Sequence, residues 1–141
     1  MNEENSVDAF MSGIFSSPPD DGTPPVLLGG FCPKCRQYYY PRPIYCRTCL
    51  DPVEEAVIGS TGTLYSFTVV RIKPPLGLPK PYGLGYVDMN ETGLRVFGLL
   101  DPGALDRFHI GRTVRLAVDV LGQDTRGNPC LRPYFTPRTD R

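Results

Sequence analysis

Residues 31–50 read FCPKCRQYYYPRPIYCRTCL, which sets four cysteines in two C-x-x-C knuckles, Cys32-Pro33-Lys34-Cys35 and Cys46-Arg47-Thr48-Cys49. Ten residues separate the inner cysteines. Each knuckle bends the backbone so that two thiolates converge on one ion. A hairpin of this length can bring both knuckles together into a tetrahedral cage, with Zn–S distances of about 2.3 Å. The spacing therefore predicts a rubredoxin-like zinc ribbon in which Cys32, Cys35, Cys46 and Cys49 hold a structural Zn2+. Four thiolates fill the coordination shell, so the ion acts as a fold staple and not as a hydrolytic centre. Redox thiols or an iron site are the alternatives for the same residues.

Downstream of the ribbon, residues 59–137 read as strands. Residues 62–72 (GTLYSFTVVRI) are rich in β-branched and aromatic side chains, and 82–88 and 94–100 flank MNETG, a hairpin turn. Asp101-Pro102 then sets an N-cap followed by proline at the first helical position, for a helix running through Leu105 and Phe108 that Gly111 can stop. Residues 113–120 alternate, with Val114, Leu116, Val118 and Val120 on one side. A turn at GQDTRGNP leads to a last strand over 130–136. Three strands, a short helix and two strands match the OB-fold, a partly open Greek-key barrel. Upstream, residues 1–30 form an arm. Val7, Phe10, Met11, Ile14 and Phe15 fall on one face of a short helix capped by Ser6, and SSPPDDGTPP tethers it. That stripe can pack on its own body or on another chain. The expected architecture is mostly β: arm 1–30, zinc ribbon 31–50 and a five-stranded OB-fold domain 59–137.

Composition sets the outer bounds. The chain has 141 residues, 15 Gly and 16 Pro, which fits one small module plus one modest domain. A domain of this size buries only about two thirds of its unfolded surface, so a metal staple has a physical use. Fifteen basic residues balance fifteen acidic ones. Residues 1–29 hold five acidic and no basic residues, which leaves the body with an excess of five positive charges. That excess falls to three once four thiolates and Zn2+ are counted, a weak field for nucleic acid or anionic lipid. No stretch approaches the roughly 20 apolar residues that span a bilayer, and MNEENSVDAF lacks the regions of a signal peptide. A cytoplasmic location is expected, where thiols stay reduced and clustered cysteines point to metal.

Other residues could carry chemistry. Cys130 is the remaining thiol and His109 the lone imidazole. A buried cysteine and a histidine at a helix end are the ordinary readings, and no catalytic residue is assigned. Residues 73–81 (KPPLGLPKP) form a stiff apolar loop with a lysine near each end, and Lys73 and Lys80 are the candidates for meeting phosphates of a coenzyme. A rigid solvated connector is the plain alternative. Tyr38, Tyr39 and Tyr40 lie beside the metal hairpin, where packing is their expected role.

A four-cysteine ribbon leading directly into an OB barrel, with Pro41-Arg42-Pro43-Ile44-Tyr45 before Cys46, resembles the DUF35 family. The likeness extends through Gly59-x-x-Gly62-x-x-Tyr65, Pro81-Tyr82 to Val87-Asp88, and Ile110-Gly111-x-x-Val114. The resemblance implies a non-catalytic subunit that docks on a thiolase-fold catalytic partner and helps form its acyl-CoA site. The assembly it implies is a heterotetramer of two plus two. Within the family the likeness runs to small subunits of heteromeric thiolases. It implies thiolytic C–C cleavage in aromatic degradation, with benzoylsuccinyl-CoA giving benzoyl-CoA and succinyl-CoA. No motif states the acyl group. The reading from another class is a single-stranded nucleic-acid-binding module, since ribbons and OB barrels both serve that role.

Overall fold

Residues 14–16 and 25–138 are described by the structure, a computed structural model, and two β-systems run through them. Strands β1 (Leu27–Cys32), β2 (Gln37–Tyr39) and β3 (Glu54–Gly59) form an antiparallel sheet in the order β2-β1-β3. Strands β4 (Thr61–Val70), β5 (Tyr82–Met89), β6 (Arg95–Leu100), β7 (Thr113–Gln123) and β8 (Pro129–Pro137) close a barrel in the order β4-β5-β6-β8-β7. β6 and β8 pair in parallel through Leu99 with Tyr134 and Leu100 with Phe135, which lets the last strand close the barrel beside the third. The mostly-β reading, a cysteine ribbon followed by a five-stranded barrel, is what the structure shows.

β1 has a double glycine at its centre, Gly29-Gly30, because the ribbon sheet leaves no room there. A Cβ at Gly29 would meet the Tyr39 carbonyl and the Ile58 side chain, and one at Gly30 would meet Val53 and Arg42. The element between β6 and β7 is a 3-10 helix over Pro102–Arg107, with a break in helical geometry at Ala104. Its start follows the sequence: Asp101 Oδ1 accepts from the Gly103 amide at 2.9 Å, and Pro102 opens the first turn. Asp101 Oδ2 also accepts from the Thr136 hydroxyl at 2.7 Å, which ties the helix start to β8. The alternation of β7 holds at Val114 and Leu116, both buried. By Val120 the strand has run past the core, and that side chain is 45% exposed.

The helix expected over residues 7–15 falls mainly on 7–13, outside the described residues. Its last two residues are not helical: Ile14 is a bend and Phe15 a bridge. Phe15 is buried and bridges Leu27, the Leu28 amide donates to the Ile14 carbonyl at 2.8 Å, and the Ser16 amide donates to the Val26 carbonyl at 2.9 Å. Residues 14–16 thus pack on the chain's own body.

One core serves both β-systems. Leu27 of β1 and Ile58 of β3 are buried in the same cluster as Leu64, Val87, Leu116 and Phe135 of the barrel, with Tyr40 packed against it. Burying each such side chain contributes about 1.5–3 kcal/mol, and here it also fixes the ribbon on the barrel. A polar clamp closes the junction between β3 and β4. Glu91, from the turn after β5, accepts from the Ser60 amide at 3.2 Å and from the Ser60 and Thr61 hydroxyls at 3.3 and 3.1 Å. Burial pushes its carboxyl up, but the hydrogen bonds from Ser60 and Thr61 outweigh it, leaving Glu91 below its ordinary value of 4.5.

Glu91→Gln is expected to cost about 1 kcal/mol, since hydrogen bonds to a charged acceptor are involved but the site is partly solvated. Thermal melts across pH check it. A carboxyl lowered by folding contributes fully above its ordinary value and loses its contribution as pH falls through the folded one. The gap between wild type and variant should therefore be constant near neutrality and close below pH 4.5.

Candidate functional site

β1 ends at Cys32 and turns through Cys35 into β2, while the second knuckle, Cys46 to Cys49, precedes β3. The two knuckles are built alike. The Arg36 amide donates to the Cys32 carbonyl at 2.7 Å, and the Leu50 amide to the Cys46 carbonyl at 2.9 Å. The residue after each second cysteine takes left-handed backbone, Arg36 at φ 57° and Leu50 at φ 66°. These turns aim the sulfurs at one point. Cys32 Sγ lies 3.5 Å from Cys49 Sγ and Cys46 Sγ lies 3.8 Å from Cys35 Sγ, and all four sulfurs fall within 4.8 Å of one another. A tetrahedral ion with ligands at about 2.3 Å needs sulfur separations of about 3.8 Å, so the residues fit such a metal. Cys32 and Cys46 are fully buried, which shields the centre on its inner side.

The surroundings favour thiolate at one ligand first. The Tyr39 hydroxyl and the amides of Cys49 and Thr48 pull the Cys46 thiol down to about 6. Hydrogen bonding to Cys49 and burial push the Cys35 thiol up to about 12. Tyr39 Oη sits 3.3 Å from Cys46 Sγ, and the Arg47 guanidinium lies 5.7 Å from the Tyr39 ring centre. Sequence reasoning gave Tyr39 only a packing role. Its place seven residues before Cys46, on a strand leading away from the first knuckle, was the available signal.

The remaining candidates separate. Lys73 and Lys80 are exposed near the two ends of the loop joining β4 to β5. That loop touches the tip of the β7–β8 hairpin, where the Gln123 amide donates to the Leu76 carbonyl at 2.7 Å. Cys130 is buried and accepts from Arg132 Nη1 at 3.2 Å, whereas His109 is exposed with Nδ1 3.2 Å from the Ile110 carbonyl. On the outer face of the barrel, Tyr86 and Phe97 pair across β5 and β6 with ring centres 4.9 Å apart, and both stay about half exposed. Beside them the Arg95 guanidinium lies 3.4 Å from the Tyr65 ring centre and forms two hydrogen bonds to Asp88, at 2.6 and 3.1 Å. The Tyr38 ring packs at a tilt against Phe31, ring centres 4.8 Å apart, and Tyr40 packs against the core. Flanking the second knuckle, Ile44, Tyr45 and Leu50 are 76%, 58% and 73% exposed, apolar side chains that sequence reasoning did not single out.

Comparison with known proteins bears on this geometry. Residues 54–119 match the C-terminal OB-fold domain of ChsH2. The chain is 35% identical to the benzoylsuccinyl-CoA thiolase subunit BbsA of Thauera aromatica, over 83% of this chain and 80% of that one. It is 32% identical to the subunit of the same name from Geobacter metallireducens, over 94% and 88%. Among solved structures it is similar to the Ltp2-ChsH2(DUF35) aldolase, with a TM-score of 0.61 and 27% identity over 79% of this chain and 84% of that chain.

Metal analysis of the purified chain tests the centre. One ion per chain is expected, and Cys49→Ser should lose it together with the amide protection of residues 27–59, because metal affinity at such a site is folding free energy. Tyr39→Phe leaves four thiolates in place and should weaken metal affinity by about tenfold, as loss of a hydrogen bond to a ligand does.

Proposed function

Because the chain belongs to the DUF35-type family that includes the BbsA and ChsH2 proteins, we infer that it is the non-catalytic subunit of a thiolase-type complex. The observation that carries this reading is its identity to BbsA thiolase subunits along most of both chains. The metal centre agrees with it. Four sulfurs fill a tetrahedral shell, so an ion there holds the ribbon together and offers no open position to a substrate. The ion is zinc, which takes four thiolates tetrahedrally without redox change, and a reducing cytoplasmic setting keeps the thiols available.

In this reading the partner has the thiolase fold and supplies the nucleophile. The partner's cysteine thiolate adds to the ketone carbon, the C–C bond breaks, and the departing carbanion takes a proton from the partner's histidine; the coenzyme A thiolate then displaces the cysteine from the acyl-enzyme, leaving two thioesters. This chain acts by position. The exposed apolar side chains flanking the second knuckle, Ile44, Tyr45 and Leu50, dock on the partner, and a knuckle made rigid by the metal loses little entropy in doing so. The barrel walls the acyl-CoA channel, which excludes water and aligns the reacting groups. Lys73 and Lys80 meet the phosphates of the coenzyme. The acyl substrate is benzoylsuccinyl-CoA, and the assembly is a heterotetramer of two plus two.

One observation favours a second reading. OB barrels bind oligonucleotides on the face of their second and third strands, and here that face exposes Tyr86 and Phe97, with Tyr65 close by. Single-strand binding would show a steep fall in affinity with salt.

Purification of the tagged chain from its native lysate, read by native mass spectrometry and metal analysis, separates the two. A stoichiometric thiolase-fold partner with one zinc per copy of this chain is expected. Nucleic acid in its place would overturn the subunit reading. In the assembled complex, Lys73→Ala with Lys80→Ala should raise the KM for coenzyme A about tenfold with kcat within about twofold. His109→Ala and Cys130→Ser should leave both nearly unchanged, whereas a loss of about a thousandfold in kcat would assign catalysis to this chain.

A further inference from the structure

Among the described residues Arg132 is the charged side chain that folding buries, with 5% of its surface exposed. Taking a guanidinium out of water costs several kcal/mol unless its donors find acceptors. Here they do. Nη1 donates to the Leu121 carbonyl at 2.6 Å and to Cys130 Sγ at 3.2 Å, and Nη2 donates to the Gln123 carbonyl at 2.9 Å.

The two carbonyls belong to a break in the barrel ladder. The register between β7 and β8 shifts between Val120 and Gln123, and Gly122 within it takes left-handed backbone at φ +71°. A bulge leaves backbone groups without ladder partners, and the planar fork of Arg132 takes up two of them. The same bulge receives the loop between β4 and β5. The Gln123 amide donates to the Leu76 carbonyl, and a Cβ at Gly122 would meet Arg132 Nη1, the Leu76 carbonyl and Leu78 at 2.7, 2.8 and 2.8 Å. Arginine and loop therefore meet the same bulge, both closing on Gly122. The loop is stiffened by Pro74, Pro75, Pro79 and Pro81, so anchoring its middle at Leu76 and Leu78 also sets its ends.

We propose that Arg132 is the positioning residue of this loop: by tying the β7–β8 bulge it holds residues 76–78 and so sets where Lys73 and Lys80 stand toward coenzyme A. The part that concerns coenzyme A rests on the function proposed above. An apolar residue in its place would leave the Leu121 and Gln123 carbonyls without these donors.

Amide hydrogen exchange on the full chain, followed by kinetics of the assembled complex with coenzyme A as the varied substrate, tests it. Arg132→Met is expected to speed exchange in residues 73–81 and 121–128 at least tenfold while β5, β6 and the metal content stay as in wild type. KM for coenzyme A should rise about tenfold with kcat within about twofold. Arg132→Lys, which keeps the charge but not the fork, should fall between. Leu78→Ser loosens the loop from its other side, keeps Arg132, and should give the same rise in KM. Unchanged exchange in the loop of Arg132→Met, or loss of protection throughout the barrel, would overturn the proposal. If Arg132→Met frees the loop but neither it nor the two lysine substitutions move KM, the loop anchor stands and the coenzyme contact falls.

Discussion

The hairpin from Cys32 to Val53 depends on four sulfurs converging within 4.8 Å. β2 is three residues long, and the segment from Tyr40 to Val53 has little ladder of its own beyond the bridge between Tyr45 and Pro52. Its buried cluster consists of Cys32, Cys46 and Val53 with Tyr39 and the two outer cysteines packed on it, too small to offset the entropy of ordering the hairpin. An ion held by the four sulfurs would supply what apolar burial cannot, and side chains such as Ile44 and Leu50 face outward.

The barrel solves a different problem. Its five strands bury a continuous core, and the polar residues that matter stand where the ladder is interrupted. Glu91 holds the passage from the ribbon sheet into β4, Asp101 caps the 3-10 helix while accepting from Thr136, and Arg132 fills the bulge in β7. Each places acceptors or donors opposite backbone groups that regular pairing would have satisfied. Catalysis by a partner needs this kind of subunit: one whose loops are fixed in place before substrate arrives.

Much of this was legible in the sequence because the signals were local. The C-x-x-C spacing pointed to the convergence of four sulfurs, the alternation in β7 and the aromatic and β-branched runs to the barrel strands, and Asp101-Pro102 to the start of the helix. β1 and β3 were harder to see. Gly29-Gly30 looks like a loop until Tyr39, Ile58 and Val53 are known to press against it, and residues 54–59 pair only with a strand more than twenty residues earlier. The helix between β6 and β7 is a 3-10 helix of six residues, broken at Ala104. Ile14 and Phe15 had helical spacing, yet the Phe15–Leu27 bridge and the bond from the Leu28 amide to the Ile14 carbonyl take them out of it. Arg132 is one of several arginines in the body of the chain. Its position two residues after Cys130, on the same side of a strand, hinted at burial, but the bulge and loop that enclose it are tertiary facts.

The central claim is a division of labour, with chemistry on a thiolase-fold partner and shape on this chain. Thiolysis measured with the partner alone, this chain alone and the two combined, with thioester products identified by mass spectrometry, tests it most directly. The account predicts no product from this chain alone and full turnover only from the combination. Cleavage by this chain without a partner, or full turnover by the partner without this chain, would contradict it.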